Sequence, residues 1–85
     1  MKTFDYTIKD PIGLHARPAG QLVKLCKQFR CTISVTKGDK TVGASQLMKL
    51  MGMGIKHNDT VKITVEGARE EEAAEAVEEF MIENL

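Results

Sequence analysis

The stretch Gly13-Leu14-His15-Ala16-Arg17-Pro18-Ala19 sets an imidazole, a guanidinium and a proline side by side. Proline is tolerated in the first turn of a helix, where its missing N–H has no intrahelical acceptor, so Pro18 predicts a helix beginning near Ala16 with His15 at its mouth. The backbone N–H groups of that turn, Ala16 and Arg17 first, are left free and point towards the imidazole. Together with the positive end of the helix dipole they stabilise negative charge and disfavour the imidazolium. The chemistry that suits such a site is the binding or transfer of an anion, with a neutral, nucleophilic His15 at cytosolic pH. Taken alone, the pattern fits a solvated capping histidine equally well.

The elements on either side must position this group. Thr3 to Ile8 alternates, with Phe4, Tyr6 and Ile8 on one face, which predicts a half-buried strand. Asp10-Pro11 breaks it, and Gly13 allows backbone angles that a Cβ would resist. The following helix is predicted from about Ala16 to Phe29, with Ala19, Leu22, Val23, Cys26 and Phe29 as its buried stripe. Arg17, Gln21, Lys24 and Lys27 fall on an exposed side, because steps of three and four keep to one face. Thr32 to Lys37 and Lys40 to Ala44 read as two strands joined at Gly38-Asp39. Ser45 is the expected N-cap of a short helix over Gln46 to Met51, ended by Gly52 or Gly54.

Leu47, Met48, Leu50, Met51 and Met53 exceed what so short a helix can bury, so some of them are expected at the surface. His57-Asn58-Asp59 reads as a turn, and His57 as an exposed turn residue. Thr60 to Glu66 alternates strictly with Val61, Ile63 and Val65 inward, and after Gly67 the acidic run Glu70-Glu71-Glu72 opens a last helix buried through Ala73, Ala76, Val77, Phe80 and Met81. The order is βαββαβα. Alternating strands expose one apolar face each and the helices one stripe each, which predicts an α+β domain of two layers, a sheet covered on one side by three helices.

Composition narrows the function classes. The length of 85 residues and a hydrophobic fraction of 42% suit a single domain, 1–85, with one modest core. A formal net charge of zero hides an asymmetry: residues 1–65 carry eleven Lys and Arg against four Asp, a balance of +7, and residues 66–85 carry one Arg against eight Glu, a balance of −7. With one Tyr, three Phe and no Trp there is no stacking platform for bases, so nucleic acid is not the expected partner. Cys26 and Cys31 form no CxxC pair and no secreted-type framework, so reduced thiols are expected. Combining them with His15 and His57 as a zinc site fails on ligand spacing, and neither a metal nor a cofactor is expected. No signal core and no apolar run of membrane-spanning length is present, which predicts a soluble cytoplasmic protein without membrane insertion.

The segment Gly13 to Ala19 resembles the active-centre signature of the HPr family, the histidine-containing phosphocarriers of the bacterial sugar phosphotransferase system. Lys40-Thr41-Val42, Leu47-Met48-Lys49-Leu50-Met51, Gly54-Ile55 and Glu66-Gly67 leading into an acidic helix resemble the family too, so the likeness spans essentially the whole chain. It implies an open-faced β-sandwich with a four-stranded antiparallel sheet and three helices. It also implies a phosphoryl group taken on Nδ1 of His15 from phosphorylated enzyme I and passed to a sugar-specific IIA domain, by a relay protein rather than a turnover enzyme, with a monomer expected. Arg17 would hold the phosphate oxygens with planar paired donors, alongside the backbone of Ala16 and Arg17. A carrier must keep its phosphoryl group until it meets a partner, so no general base aimed at water is expected near His15. The resemblance further implies docking through the first two helices, at Gly20, Gln21, Lys24, Lys27, Leu47, Met48 and Met51, with Met53 extending the patch. Without it, the lysines read as a solvated face and the methionines as core.

Two positions depart from the family pattern. Where many members from Gram-positive bacteria carry a regulatory serine, this chain has Gln46, and Ser45 stands one residue earlier, turned about 100° around the helix. Seryl regulation is therefore expected to be absent or altered. Ile12 replaces a small polar residue common beside the active centre. The alternative reading is a regulatory module of the same family that binds a transcription factor or an enzyme, but the intact His15-Arg17 pair favours the carrier.

Overall fold

A computed structural model describes all 85 residues, in the order β1 (Lys2–Thr7), α1 (Ala16–Cys26), β2 (Cys31–Lys37), β3 (Lys40–Gly43), α2 (Leu47–Met51), β4 (Thr60–Gly67) and α3 (Glu70–Asn84). The four strands make one antiparallel sheet in the order β1-β4-β2-β3, so the last strand slots between the first two. The register shows how two-residue alternation becomes two faces. Phe4 lies opposite Ile63, Tyr6 opposite Val61, Ile33 opposite Val65 and Val35 opposite both Ile63 and Val42, all on the covered side. The intervening rows, Thr3 with Thr64 and Ser34, and Asp5 with Lys62 and Thr36, face solvent. The expected open-faced two-layer α+β architecture is therefore observed.

α3 packs on β1 and β4, α1 lies against α2 and α3, and α2 reaches β3. Their stripes close one core in which every buried side chain is apolar, among them Leu22, Leu50, Ile63 and Val77, all almost fully enclosed. Burial of side chains of this size contributes about 1.5–3 kcal/mol each, and no buried side-chain polar atom is left without a partner.

Most element boundaries shift by a residue or so from expectation, and three of the shifts have a visible local cause. α1 ends at Cys26, not Phe29: the N–H groups of Gln28 and Phe29 bond to carbonyls three residues back, Leu25 and Cys26, and this tightening turns the chain into β2. Phe29 still packs against the core from outside the helix. The N-cap of α2 is Gln46, not Ser45, because Gln46 already supplies its carbonyl to Leu50 N–H; no side chain caps this end. β3 stops one residue before the buried Ala44, whose N–H is taken by Ile33 O.

The loop that carries His15 is braced from two sides. Leu85 O accepts from the N–H groups of both Lys9 and Asp10, and Leu14 N–H donates to Ile55 O at 3.0 Å. Gly13 sits at φ +82°, and a Cβ there would lie 2.6 Å from Ile55 O and 2.7 Å from Lys56 Cα, so only glycine lets the two loop segments approach this closely. The segment 54–59 that receives it is itself pinned. Lys37 Nζ bonds Gly54 O at 2.7 Å and pairs with Asp59 Oδ2 at 2.8 Å, while the same Asp59 oxygen accepts Lys56 N–H at 2.8 Å.

Candidate functional site

His15 is the N-cap of α1, in extended conformation at φ −118°, and its carbonyl accepts the first helical bond from Ala19 N–H at 3.0 Å. Its side chain caps nothing, so the imidazole is free for other work and is 38% exposed. Ahead of it the N–H groups of Ala16 and Arg17 have no intrahelical acceptor and no other partner, and Pro18 at the third position has no N–H to satisfy. The first turn carries no acidic residue. Arg17 is exposed and forms no ion pair, so its guanidinium, like the two backbone donors of this turn, is without a partner.

No general base aimed at water is expected near His15, and the one carboxylate that approaches the ring is that of Asp10. Its Oδ2 lies 3.9 Å from His15 Nε2. The approach arises because Asp10 forms a turn with its own side chain: Oδ1 accepts Ile12 N–H at 2.8 Å, and Asp10 O accepts Gly13 N–H at 3.0 Å. The departing residue, Ile12, is 70% exposed, and its backbone N–H is held by Asp10. The Asp10-Pro11 pair was legible only as a break in the chain; nothing in the spacing showed that the turn would swing the carboxylate to the imidazole.

The residues expected to dock partners fall on two adjoining helices. Gln21, Lys24 and Lys27 are exposed along α1 and at its C-cap, and Gly20 is half-buried between them and the core. Leu47, Met48 and Met51 are exposed on α2, Met48 most of all. Met53 does not belong with them. Once Gly52 ends the helix the chain turns inward, and Met53 is buried in the core. Ser45 and Gln46 are both exposed, and His57 sits in an exposed turn beside Asn58, which takes φ +73°. Cys26 is buried, and burial pushes its thiol up to about 12, so it stays protonated. Both cysteines are free, and no group of three metal-ligating side chains occurs.

Known proteins share the sequence pattern and the fold of this chain. Residues 2–83 match the family model described as PTS HPr component phosphorylation site. The chain belongs to the HPr family. Its relatives include the phosphocarrier protein HPr of Mycoplasma genitalium, 38% identical over 99% of this chain and 97% of the relative. Among solved structures, HPr-C-His from Thermoanaerobacter tengcongensis superposes with a TM-score of 0.92 at 38% identity, covering 96% of this chain and 92% of that one. An HPr dimer from the same organism superposes with a TM-score of 0.77 at 37% identity over 98% of this chain and 95% of that one, so membership of the HPr family does not by itself select the expected monomer. The HPr family is that of the phosphotransferase-system phosphocarriers. No helix here is long and apolar enough to cross a membrane.

Proposed function

We propose that this chain relays a phosphoryl group on His15, taking it from phosphorylated enzyme I and giving it to sugar-specific IIA proteins. The observation that carries the reading is the half-exposed imidazole at an unfilled helix mouth, with the Ala16 and Arg17 N–H groups and the Arg17 guanidinium all lacking partners. In the forward step the Nδ1 lone pair attacks phosphorus while the bond from phosphorus to the donor breaks, its electron pair returning to the donor. Nε2 keeps its proton, so the His15 ring becomes cationic and the phosphoryl oxygens carry the negative charge. Such a transfer asks chiefly for positioning and charge stabilisation, which the helix end and Arg17 supply. Donation to IIA is the same step reversed.

Partner contact is assigned to α1 and α2. Lys24 and Lys27 favour partners with acidic surfaces, and Leu47, Met48 and Met51 form an adaptable apolar patch beside them. Gly20 and Gln21 lie between His15 and these lysines. The carrier works without turnover of its own.

Incubation with phosphoenolpyruvate and enzyme I should give acid-labile phosphate on the wild-type chain and none on His15→Ala. Equal labelling of both would reject the reading. Charge reversal at Lys24 and Lys27 should slow transfer while leaving the fold intact.

A further inference from the structure

Asp10 is held at every polar group but one. Its N–H goes to Leu85 O at 2.8 Å, its carbonyl to Gly13 N–H at 3.0 Å and its Oδ1 to Ile12 N–H at 2.8 Å. The remaining oxygen, Oδ2, has no hydrogen-bond donor and faces His15 Nε2 at 3.9 Å, and no other carboxylate pairs with His15. A neutral imidazole carries one N–H and one lone pair, and an ionised carboxylate only accepts. A ring nitrogen facing a fixed carboxylate is therefore favoured as the protonated one, by electrostatic attraction across 3.9 Å.

We infer that Asp10 is a positioning residue that keeps the His15 proton on Nε2 and so leaves the Nδ1 lone pair as the nucleophile. The tautomer follows from the Asp10 geometry alone; its consequence for transfer rests on the phosphocarrier reading of His15. When Nδ1 takes the phosphoryl group, the ring gains positive charge and retains the Nε2 proton, and Asp10 faces that charge. The carboxylate lies on the Nε2 side of the ring, away from the nitrogen that bears phosphorus. It stabilises the ring without being aimed at a water attacking the phosphoryl group.

The test is the long-range 15N–1H imidazole spectrum of the unphosphorylated protein, recorded at a pH above which the imidazole signals no longer move, so that the ring is neutral. His57, exposed and without a partner, serves as reference in the same sample. Wild-type His15 should show a larger Nε2–H share than His57. In Asp10→Asn the amide oxygen can still take Ile12 N–H, while its NH₂ presents donors to Nε2. The His15 ratio should then move towards Nδ1–H by roughly threefold or more, with phosphoryl acceptance slowed to a similar degree, the range expected of a single polar contact. Unchanged Ile12 and Gly13 amide shifts would show the loop intact. A wild-type ratio equal to that of His57 overturns the inference even if the variant fails to fold, and so does an unmoved ratio in Asp10→Asn. A moved tautomer in a protein that enzyme I never labels supports the Asp10 role and removes the phosphocarrier reading instead.

Discussion

The chain contains two long helices whose N-termini are finished in opposite ways. At α3 the first turn is Glu70-Glu71-Glu72, and these carboxylates meet the helix's own positive end. Glu70 Oε1 accepts Gly67 N–H at 3.2 Å, and Lys2 pairs with Glu71 at 3.4 Å. A hydrogen bond from the Met1 amino group, and then Gly67 N–H, hold the Glu70 carboxyl below its ordinary value. At α1 there is no carboxylate in the first turn, no capping side-chain bond and a cationic Arg17 where α3 has an anionic Glu71. One end supplies its own anion and the other waits for one. The contrast teaches that the open end is local to the site and not a habit of the chain, and that its stability must come from elsewhere: from Gly13, the Asp10 turn and the braced 54–59 segment.

The largest effect is expected from removing that outside support. Gly13→Ala forces a Cβ to within 2.7 Å of backbone atoms of Ile55 and Lys56 at a positive φ, and those atoms cannot swing aside as a flexible side chain would. Loss of about 3 kcal/mol in denaturant unfolding is expected, with the α1 mouth displaced. An unchanged midpoint would show that the close approach is not needed. Next in size is the substitution that makes α1 resemble α3. Ala16→Glu places a carboxylate in the first turn, which should raise stability by about 0.3–1 kcal/mol through the helix dipole. The same charge occupies the place of the incoming phosphate, so phosphoryl acceptance from enzyme I should fall by about tenfold or more. Stability and transfer moving in opposite directions would confirm that the empty end is kept for function; a variant that transfers normally would break the comparison.

How much of this was readable beforehand divides along the same line. The α3 end, the alternation through Val61, Ile63 and Val65, and the His15-Arg17-Pro18 start of α1 depend on neighbours in sequence, and each was legible from periodicity or from a first-turn signature. The Asp10 carboxylate, Met53 and the Lys37–Asp59 pair were not. Asp10 reaches His15 through a turn whose direction depends on Leu85 and Ile55, far away in sequence. Met53 follows Gly52 out of α2 at an angle that helix spacing does not encode, and it enters the core instead of the surface patch. Lys37 and Asp59 are ordinary hairpin and turn residues until the sheet places β2 beside β4.

The smallest effect lies in that last pair, and it distinguishes the two helix ends without touching either. Lys37, by hydrogen bonding, and then Lys56 N–H hold the Asp59 carboxyl below its ordinary value of 3.8. A carboxylate whose value is depressed by folding stabilises the protein fully above its unfolded value and loses that contribution as pH falls through the folded one. Asp59→Asn should therefore lower the unfolding midpoint at neutral pH, and its curve should approach that of the wild type as pH drops below the ordinary carboxylate range. Because the 54–59 segment presents Ile55 O to Leu14 N–H, the same variant should speed hydrogen exchange at the Leu14 amide. Ala73 N–H, bonded to Arg69 O at 3.0 Å in the first turn of α3, should exchange as before. Equal acceleration at both amides would mean that Asp59 supports the fold at large, and the separate bracing of the α1 mouth would have to be abandoned.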